Sequence, residues 1–157
     1  MPKSKIIIAD DHTVVRVGLK ELINKNSDLT VVAEAKNGRE LIDILINIKC
    51  DLVVMDISMP EMDGVTALKE IHQDYPTLKV LILSMLKDYP DVHEVMAHGA
   101  GGYLVKGDAP EGLVSAMETI LKGKIYENEI IHIHLHPCSH FSISFCGRNG
   151  YRSRTCE

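Results

Sequence analysis

The chain has 157 residues, a formal net charge of −5 and a pI near 5.9. Its hydrophobic fraction of 45% is enough for a buried core, and the acidic balance argues against direct binding to nucleic acid. The apolar run after the N-terminus, Ile6 to Ala9, is too short for a signal peptide, and no run of about 18 apolar residues predicts a membrane span. We therefore expect a cytoplasmic protein whose cysteines are reduced.

Short apolar runs alternate with stretches of helical periodicity along the first 124 residues. The predicted strands are Ile6–Ala9, Thr30–Glu34, Leu52–Met55, Leu78–Leu83 and Gly102–Val105. The predicted helices are Asp11–Asn26, one that opens at Asn37 or Gly38, Gly64–Asp74, Asp88–His98 and Asp108–Lys122. This alternation predicts a parallel sheet with helices on both faces, and right-handed crossovers place two helices on one face and three on the other.

Local signals refine the helix ends. Asp11 or His12 is predicted to cap the first helix, and Asp108 is predicted to cap the last one. The inward face of the first helix is predicted from its apolar residues, which are Val14, Val15, Leu19, Leu22 and Ile23.

Polar side chains stand where four of the predicted strands end. They are Asp10, Asp11, Asp56, Ser84 and Lys106. Because the carboxyl ends of parallel strands share one edge of a sheet, these residues are predicted to converge on one crevice. The alternatives are that Asp56 simply begins a turn, or that the group is an ordinary surface ion-pair network.

The residue types predict phosphoryl chemistry. Three carboxylates on one rim raise each other's pKa unless a cation lies among them, and Mg²⁺ prefers oxygen ligands of this kind. Lys106 suits a phosphoryl oxygen, and Ser84 adds a hydroxyl donor. An aspartate such as Asp56 beside a metal and a lysine can act as a nucleophile towards phosphorus.

Four motifs resemble the receiver domain of two-component response regulators over about residues 4–124. They read Ile-Ile-Ile-Ala-Asp10-Asp11-His, Val-Val-Met-Asp56-Ile-Ser-Met-Pro60-Glu-Met-Asp-Gly64, Ile-Leu-Ser84-Met and Gly102-Tyr103-Leu-Val-Lys106. The sequences of the first and last motifs are similar to those of the subgroup that carries a LuxR-type helix-turn-helix. The resemblance implies a doubly wound, flavodoxin-like, five-stranded sheet in the order 2-1-3-4-5.

The resemblance also implies a site and its partners. Asp56 would accept a phosphoryl group from a histidine kinase. Asp10 and Asp11 would place Mg²⁺, with Asp56 and the backbone carbonyl of Ser58 as further ligands. Phosphorylation would change a partner surface, with a homodimer as one outcome, and DNA would be bound only through an output domain.

Three further residues have implied roles in the response to phosphorylation. Ser84 and Lys106 would hold the phosphoryl group. Tyr103 would be the aromatic residue that swings inward when Ser84 moves; on sequence grounds it could also be a half-buried strand residue.

The last part of the chain fits no output domain. We divide the chain into a receiver domain, 1–124, and a tail, 125–157, which has no helix-turn-helix pattern. A truncated or frame-shifted reading of a longer regulator explains the tail best. The alternatives are a partner-binding segment and a Zn²⁺ or Cu²⁺ site formed by His132, His134, His136, Cys138 and His140.

The leading hypothesis is a signalling switch in the receiver part of a transcriptional regulator, with at most slow self-catalysed phosphotransfer and dephosphorylation. Alternatives are a stand-alone receiver that acts through protein–protein contacts and a regulator that has lost its DNA-binding half. A phosphohydrolase is disfavoured because Ser58 stands where such enzymes commonly have a second acid. A flavin-binding protein is disfavoured because Asp10 and Asp11 would repel a phosphate.

Overall fold

A computed structural model describes residues 2–85 and 89–126. No helix within these two ranges is long and apolar enough to cross a membrane. The segment 127–157, with the predicted histidine and cysteine metal site, lies outside the described residues.

Five parallel strands form one sheet in the order β2-β1-β3-β4-β5, which confirms the predicted fold. The strands are β1 Ser4–Ala9, β2 Leu29–Ala35, β3 Leu52–Asp56, β4 Lys79–Ser84 and β5 Gly102–Val105. The helices are α1 Thr13–Asn24, α2 Gly38–Asn47, α3 Gly64–Asp74, α4 Tyr89–Ala97 and α5 Ala109–Leu121, and a 3-10 turn at Lys106–Asp108 precedes α5.

Alternate strand residues build two cores, one on each face of the sheet. Ile7, Val53 and Ile82 belong to the core that also contains apolar side chains of α2, α3 and α4. Ile8 and Val54 belong to the other core, which α1 and α5 cover. The predicted division into two and three helices is therefore correct, and β3 is buried on both faces because it lies at the centre of the sheet.

Two residues stand at the predicted helix cap positions but make no capping side-chain bond. His12 occupies the cap position of α1 without a capping side-chain bond, because its ring Nδ1 lies 3.2 Å from an Asp10 oxygen and 3.1 Å from an Asp11 oxygen. Asp108 also makes no capping bond, because the 3-10 turn already gives it helical backbone angles. α2 begins at Gly38, one of the two predicted starts, and Asn37 caps it by accepting the Glu40 N–H at 2.7 Å.

The predicted inward face of α1 is also partly wrong. Leu19 and Ile23 are buried, but Val14 is 84% exposed. Arg16 takes the inward position instead and is only 8% exposed. Charged side chains are rarely buried unless they are paired, so we expect specific contacts around Arg16.

The chain remains attached to the sheet at least as far as Tyr126, two residues past the predicted boundary at 124. The Tyr126 N–H donates to the Gly101 carbonyl at 2.9 Å, and Tyr126 forms a parallel bridge with Gly102. A Cβ atom at Gly102 would lie 2.9 Å from the Tyr126 Cβ, so the glycine makes room for this contact.

The chain folds back tightly just after Asp56. The Gly64 N–H donates to the Ile57 carbonyl at 2.8 Å, which closes the loop between β3 and α3. A Cβ at Gly64 would clash with the Asp56 carbonyl and come within 2.7 Å of the Ile57 Cα. Both neighbours are backbone atoms, so they cannot give way by a change of rotamer.

Gly64→Ala should therefore lower the free energy of unfolding by about 1–3 kcal/mol, as overpacking against fixed neighbours does. The matched control is Gly18→Ala in α1, where a Cβ meets nothing within 4 Å. That control should stabilise the protein by about 1 kcal/mol, because alanine favours a helix interior. Urea denaturation measures both changes, and equal stability of the two variants would contradict the close approach at Gly64.

Candidate functional site

Asp56 lies at the carboxyl end of the central strand, where β3 stops. Asp56 is 3% exposed, and its Oδ1 accepts the Ser58 N–H at 3.3 Å. Asp56 pairs with Leu83 of β4, and the residue before it pairs with Ala9 of β1. The flanking strands therefore bring the residues after Ala9 and Leu83 to the same edge.

Asp10 follows β1 at this edge and is almost completely buried. Its N–H donates to the Ala35 carbonyl of β2 at 3.0 Å, and its Oδ1 accepts the His12 N–H at 2.8 Å. Asp11 is more open, with a side chain that is 32% exposed. Of the two acidic residues, Asp10 is therefore buried within the site, and Asp11 lies at its more exposed edge.

Lys106 joins the two buried carboxylates. Its Nζ lies 3.0 Å from Asp56 Oδ2, to which it donates a hydrogen bond, and 2.6 Å from Asp10 Oδ2. The approach to Asp10 is an ion pair without hydrogen-bond geometry, and Asp10 Oδ2 has no hydrogen-bond partner within the described part of the chain. The Lys106 side chain is 6% exposed, so these charges meet largely out of water.

Ser84 ends a strand at the same edge of the sheet, and Tyr103 lies in β5, three residues before Lys106. Ser84 ends β4 and pairs with Val105, the residue before Lys106, and its side chain is buried. Tyr103 is 0% exposed and packs in the same core as Val92 and Val95 of α4. The half-buried alternative for Tyr103 is therefore wrong, and the ring already points into the core.

The electrostatics follow from burial and pairing. Burial raises the pKa of the Asp56 carboxyl, with Asp10 acting in the same direction, while Lys106 and the Ser58 N–H oppose the rise. Burial also acts to lower the pKa of Lys106, but its contacts with Asp10 and Asp56 outweigh this and raise it. The buried carboxylates thus favour a nearby positive charge.

The carboxylates are arranged to hold a metal ion. Asp10, Asp11, His12 and Asp56 each offer a ligand atom, and these atoms all lie within 4.8 Å of one another. The carboxylate oxygens of this donor set fit a hard divalent cation. Ser58, whose backbone carbonyl is predicted as a further ligand, lines a cleft of about 480 Å³ together with Asp11.

Sequence reasoning missed two residues of this region. His12 was considered only as a helix cap, although its ring contacts Asp10 and Asp11. Arg16 was not considered, although its Nη1 donates to the Asp10 backbone carbonyl at 2.6 Å. Its position three residues before Leu19 and seven before Ile23 places it on the buried stripe of α1, which is a signal that could have found it.

A second cleft, of about 760 Å³, lies at the opposite rim of the sheet. Leu45, Cys50 and Tyr75 are among its lining residues, and it contains none of the predicted site residues. Burial, with Asp51 adding to it, raises the pKa of the Cys50 thiol to about 11. This thiol is therefore protonated at neutral pH and a poor nucleophile.

Comparison with known proteins agrees with the motifs. The family described as the response regulator receiver domain matches residues 6–118. The oxygen regulatory protein NreC of Staphylococcus haemolyticus is 40% identical over 123 residues, which are 78% of this chain and 57% of NreC. NreC of Staphylococcus aureus is equally similar. The chain thus spans just over half the length of these relatives.

Solved structures show the same relationship. A LuxR-family two-component response regulator from Aurantimonas sp. SI85-9A1 has a TM-score of 0.81 and 31% identity, covering 86% of this chain and 96% of that one. RcsB of Salmonella typhimurium has a TM-score of 0.79 and 29% identity, covering 86% and 68%. The chain belongs to the response regulator receiver domain family, in the branch of the LuxR-family regulators, as its motifs predict.

Proposed function

We propose that this protein is a phosphorylation-dependent switch of a two-component system, in which Asp56 accepts a phosphoryl group from a histidine kinase. The observation that carries the proposal is the group formed by Asp56, Lys106 and the acidic pair Asp10 and Asp11 at one end of the sheet. Membership in the receiver family supports it independently.

Asp56 is the nucleophile in this proposal. One carboxylate oxygen attacks phosphorus, and an O–P bond forms as the P–N bond of the donor phosphohistidine breaks. The electron pair of the broken bond returns to the donor's imidazole. The ammonium of Lys106, 3.0 Å from Asp56 in the resting site, transfers its contact to a phosphoryl oxygen and neutralises charge there.

The residues that would hold Mg²⁺ are Asp10, Asp11, Asp56 and the Ser58 backbone carbonyl. Bound Mg²⁺ would supply positive charge to the phosphoryl oxygens. Asp10 and Asp56 already share Lys106 as a counter-charge, so their orientation is set before the ion arrives. This preorganisation limits the side-chain entropy lost on binding.

The output begins at Ser84 and Tyr103. A phosphoryl group adds about −1.5 to −2 charges at neutral pH, next to a buried hydroxyl at the end of β4. Tyr103 shares a core with Val92 and Val95, so a shift at Ser84 and Lys106 reaches α4 through packed side chains. We infer that the surface altered in this way contacts a partner, including a second phosphorylated copy.

We further propose that this receiver regulates transcription, with DNA bound by a separate output domain. The similar RcsB has been solved as a DNA complex and as dimers on DNA. We expect no rapid turnover, because Ser58 offers a hydroxyl and not an acid two residues after the nucleophile. Phosphotransfer and dephosphorylation by the protein itself would both be slow.

Incubation with acetyl phosphate and Mg²⁺ should add one phosphoryl group to the protein, measured by intact mass spectrometry. Asp56→Asn should remain unmodified because the nucleophilic oxygen is lost. Asp43→Asn, at an exposed position of α2, is the matched control and should be labelled like the parent. Labelling of Asp56→Asn to the level of the parent would overturn the assignment.

Lys106→Met should lower the free energy of unfolding by about 3–5 kcal/mol without metal, because two buried carboxylates lose their counter-charge. Added Mg²⁺ should raise the thermal midpoint more in this variant than in the parent, since the metal ion replaces the lost charge. Lys69→Met breaks an exposed ion pair with Glu94 and should cost less than about 1 kcal/mol. Equal effects of the two substitutions would contradict the buried ion-pair arrangement.

We also propose that the receiver unit ends near Tyr126 and that residues 127–157 are not required for it. Truncation after Tyr126 should preserve labelling of Asp56 and leave the thermal midpoint within a few degrees. Truncation after Lys124 should be less stable, because it removes the Tyr126 contacts with Gly101 and Gly102. Loss of labelling after truncation at Tyr126 would show that residues 127–157 are part of the functional unit.

A further inference from the structure

A buried arginine, Arg16, contacts the backbone of the acidic pair at Asp10. Arg16 of α1 is 8% exposed and joins Asp10, Asp56 and Ser84 among the buried polar residues of the described chain. Removing a guanidinium from water is costly unless charge and hydrogen bonds compensate it. Its position therefore has to be explained by the groups that it contacts.

Three contacts hold the guanidinium. Nη1 donates to the Asp10 backbone carbonyl at 2.6 Å, and Nη2 donates to Thr13 Oγ1 at 3.4 Å. On its other side, Nε lies 3.7 Å from Glu34 Oε1 of β2. Glu34 is itself paired with Lys20, whose Nζ is 3.0 Å from Oε2. Glu34 of β2 therefore fixes the direction of the Arg16 guanidinium.

The carbonyl that Arg16 binds belongs to the peptide bond between Asp10 and Asp11. Because a peptide group is planar, fixing its C=O also fixes the direction of the Asp11 N–H. The N–H of Asp10 is held separately by the Ala35 carbonyl. Asp10 is thus anchored on both sides of its Cα, and the first backbone bond towards Asp11 cannot rotate freely.

We propose that Arg16 is a positioning residue for the divalent-cation site, because it locks the peptide plane that joins the two acidic ligands. Its positive charge also reduces repulsion among the carboxylates in front of it. Glu34 orients Arg16, so its effect on the cation is indirect and smaller. The inference rests on the proposed function, since it assigns a role towards the cation that Asp10 and Asp11 would hold.

Calorimetric titration of the full chain with Mg²⁺ tests the proposal. Arg16→Lys keeps the charge but cannot supply the fixed planar fork. The Mg²⁺ dissociation constant should rise about tenfold, in the range for loss of an outer contact to a metal ligand. At saturating Mg²⁺, the labelling rate with acetyl phosphate should return to near the parent rate, because Arg16 does not touch the phosphoryl group.

Lys20→Gln is the matched control. It removes a neighbouring contact between α1 and Glu34 but leaves the Arg16 bond to Asp10, so Mg²⁺ affinity should be unchanged. Glu34→Gln tests the same idea with Arg16 in place, and should weaken Mg²⁺ binding less than Arg16→Lys does, because the guanidinium loses only its orienting charge. This variant also decides the question if Arg16→Lys fails to fold.

The outcomes separate this inference from the proposed function. A parent protein that binds Mg²⁺, with unchanged affinity in Arg16→Lys and Glu34→Gln, overturns the role of Arg16 alone. A lower thermal midpoint without any change in Mg²⁺ affinity has the same meaning, because it marks Arg16 as a purely structural contact. A parent that neither binds Mg²⁺ nor accepts a phosphoryl group overturns the proposed function and this inference with it.

Discussion

The arrangement at the carboxyl edge of the sheet depends on one ammonium group between two buried carboxylates. Lys106 stands 2.6 Å from an Asp10 oxygen and 3.0 Å from an Asp56 oxygen, in a place that water scarcely reaches. Without a positive charge there, two anions would face each other at low dielectric, which folded proteins avoid. The ammonium is held by charge on both sides, yet only the contact with Asp56 has the geometry of a hydrogen bond.

The sheet supplies that framework through its register. β1 and β3 end side by side, so the residues that follow Ala9 and Met55 emerge as neighbours, and β5 delivers Lys106 one strand beyond β4. The tight return at Gly64 and the anchoring of Asp10 by Ala35 and Arg16 then limit how far each carboxylate can move. The apolar packing that stabilises β3 therefore also fixes the position of Asp56 at the carboxyl end of this strand.

Sequence reasoning predicted the features that depend on chain order and apolar pattern. β5 and α3 have the predicted limits, and the division of helices between faces is correct. The strand order, which the resemblance to receiver domains implies, is also confirmed. The predictions were wrong where the position of a polar side chain depends on which of several groups it contacts. His12 turns to the acidic pair and leaves α1 uncapped, Asp108 is preempted by a 3-10 turn, and Arg16 replaces Val14 on the buried side of α1. Apolar periodicity gives no information on such choices, because they are decided by charges from other strands. The same limit applies to Lys106, whose contact with both carboxylates depends on distances that no spacing rule contains.

The bridge between Tyr126 and Gly102 has a mechanical consequence. β5 is a strand of four residues, which spans about 13 Å at the usual rise per residue. One end of this short rod leads directly into Lys106, and the other is stitched to the polypeptide as it leaves α5. A displacement of Lys106 along the strand axis would therefore act on the segment that leaves α5 through the bridge at Gly102. In a longer regulator, the connection to the next module would start beside the strand that leads into Lys106.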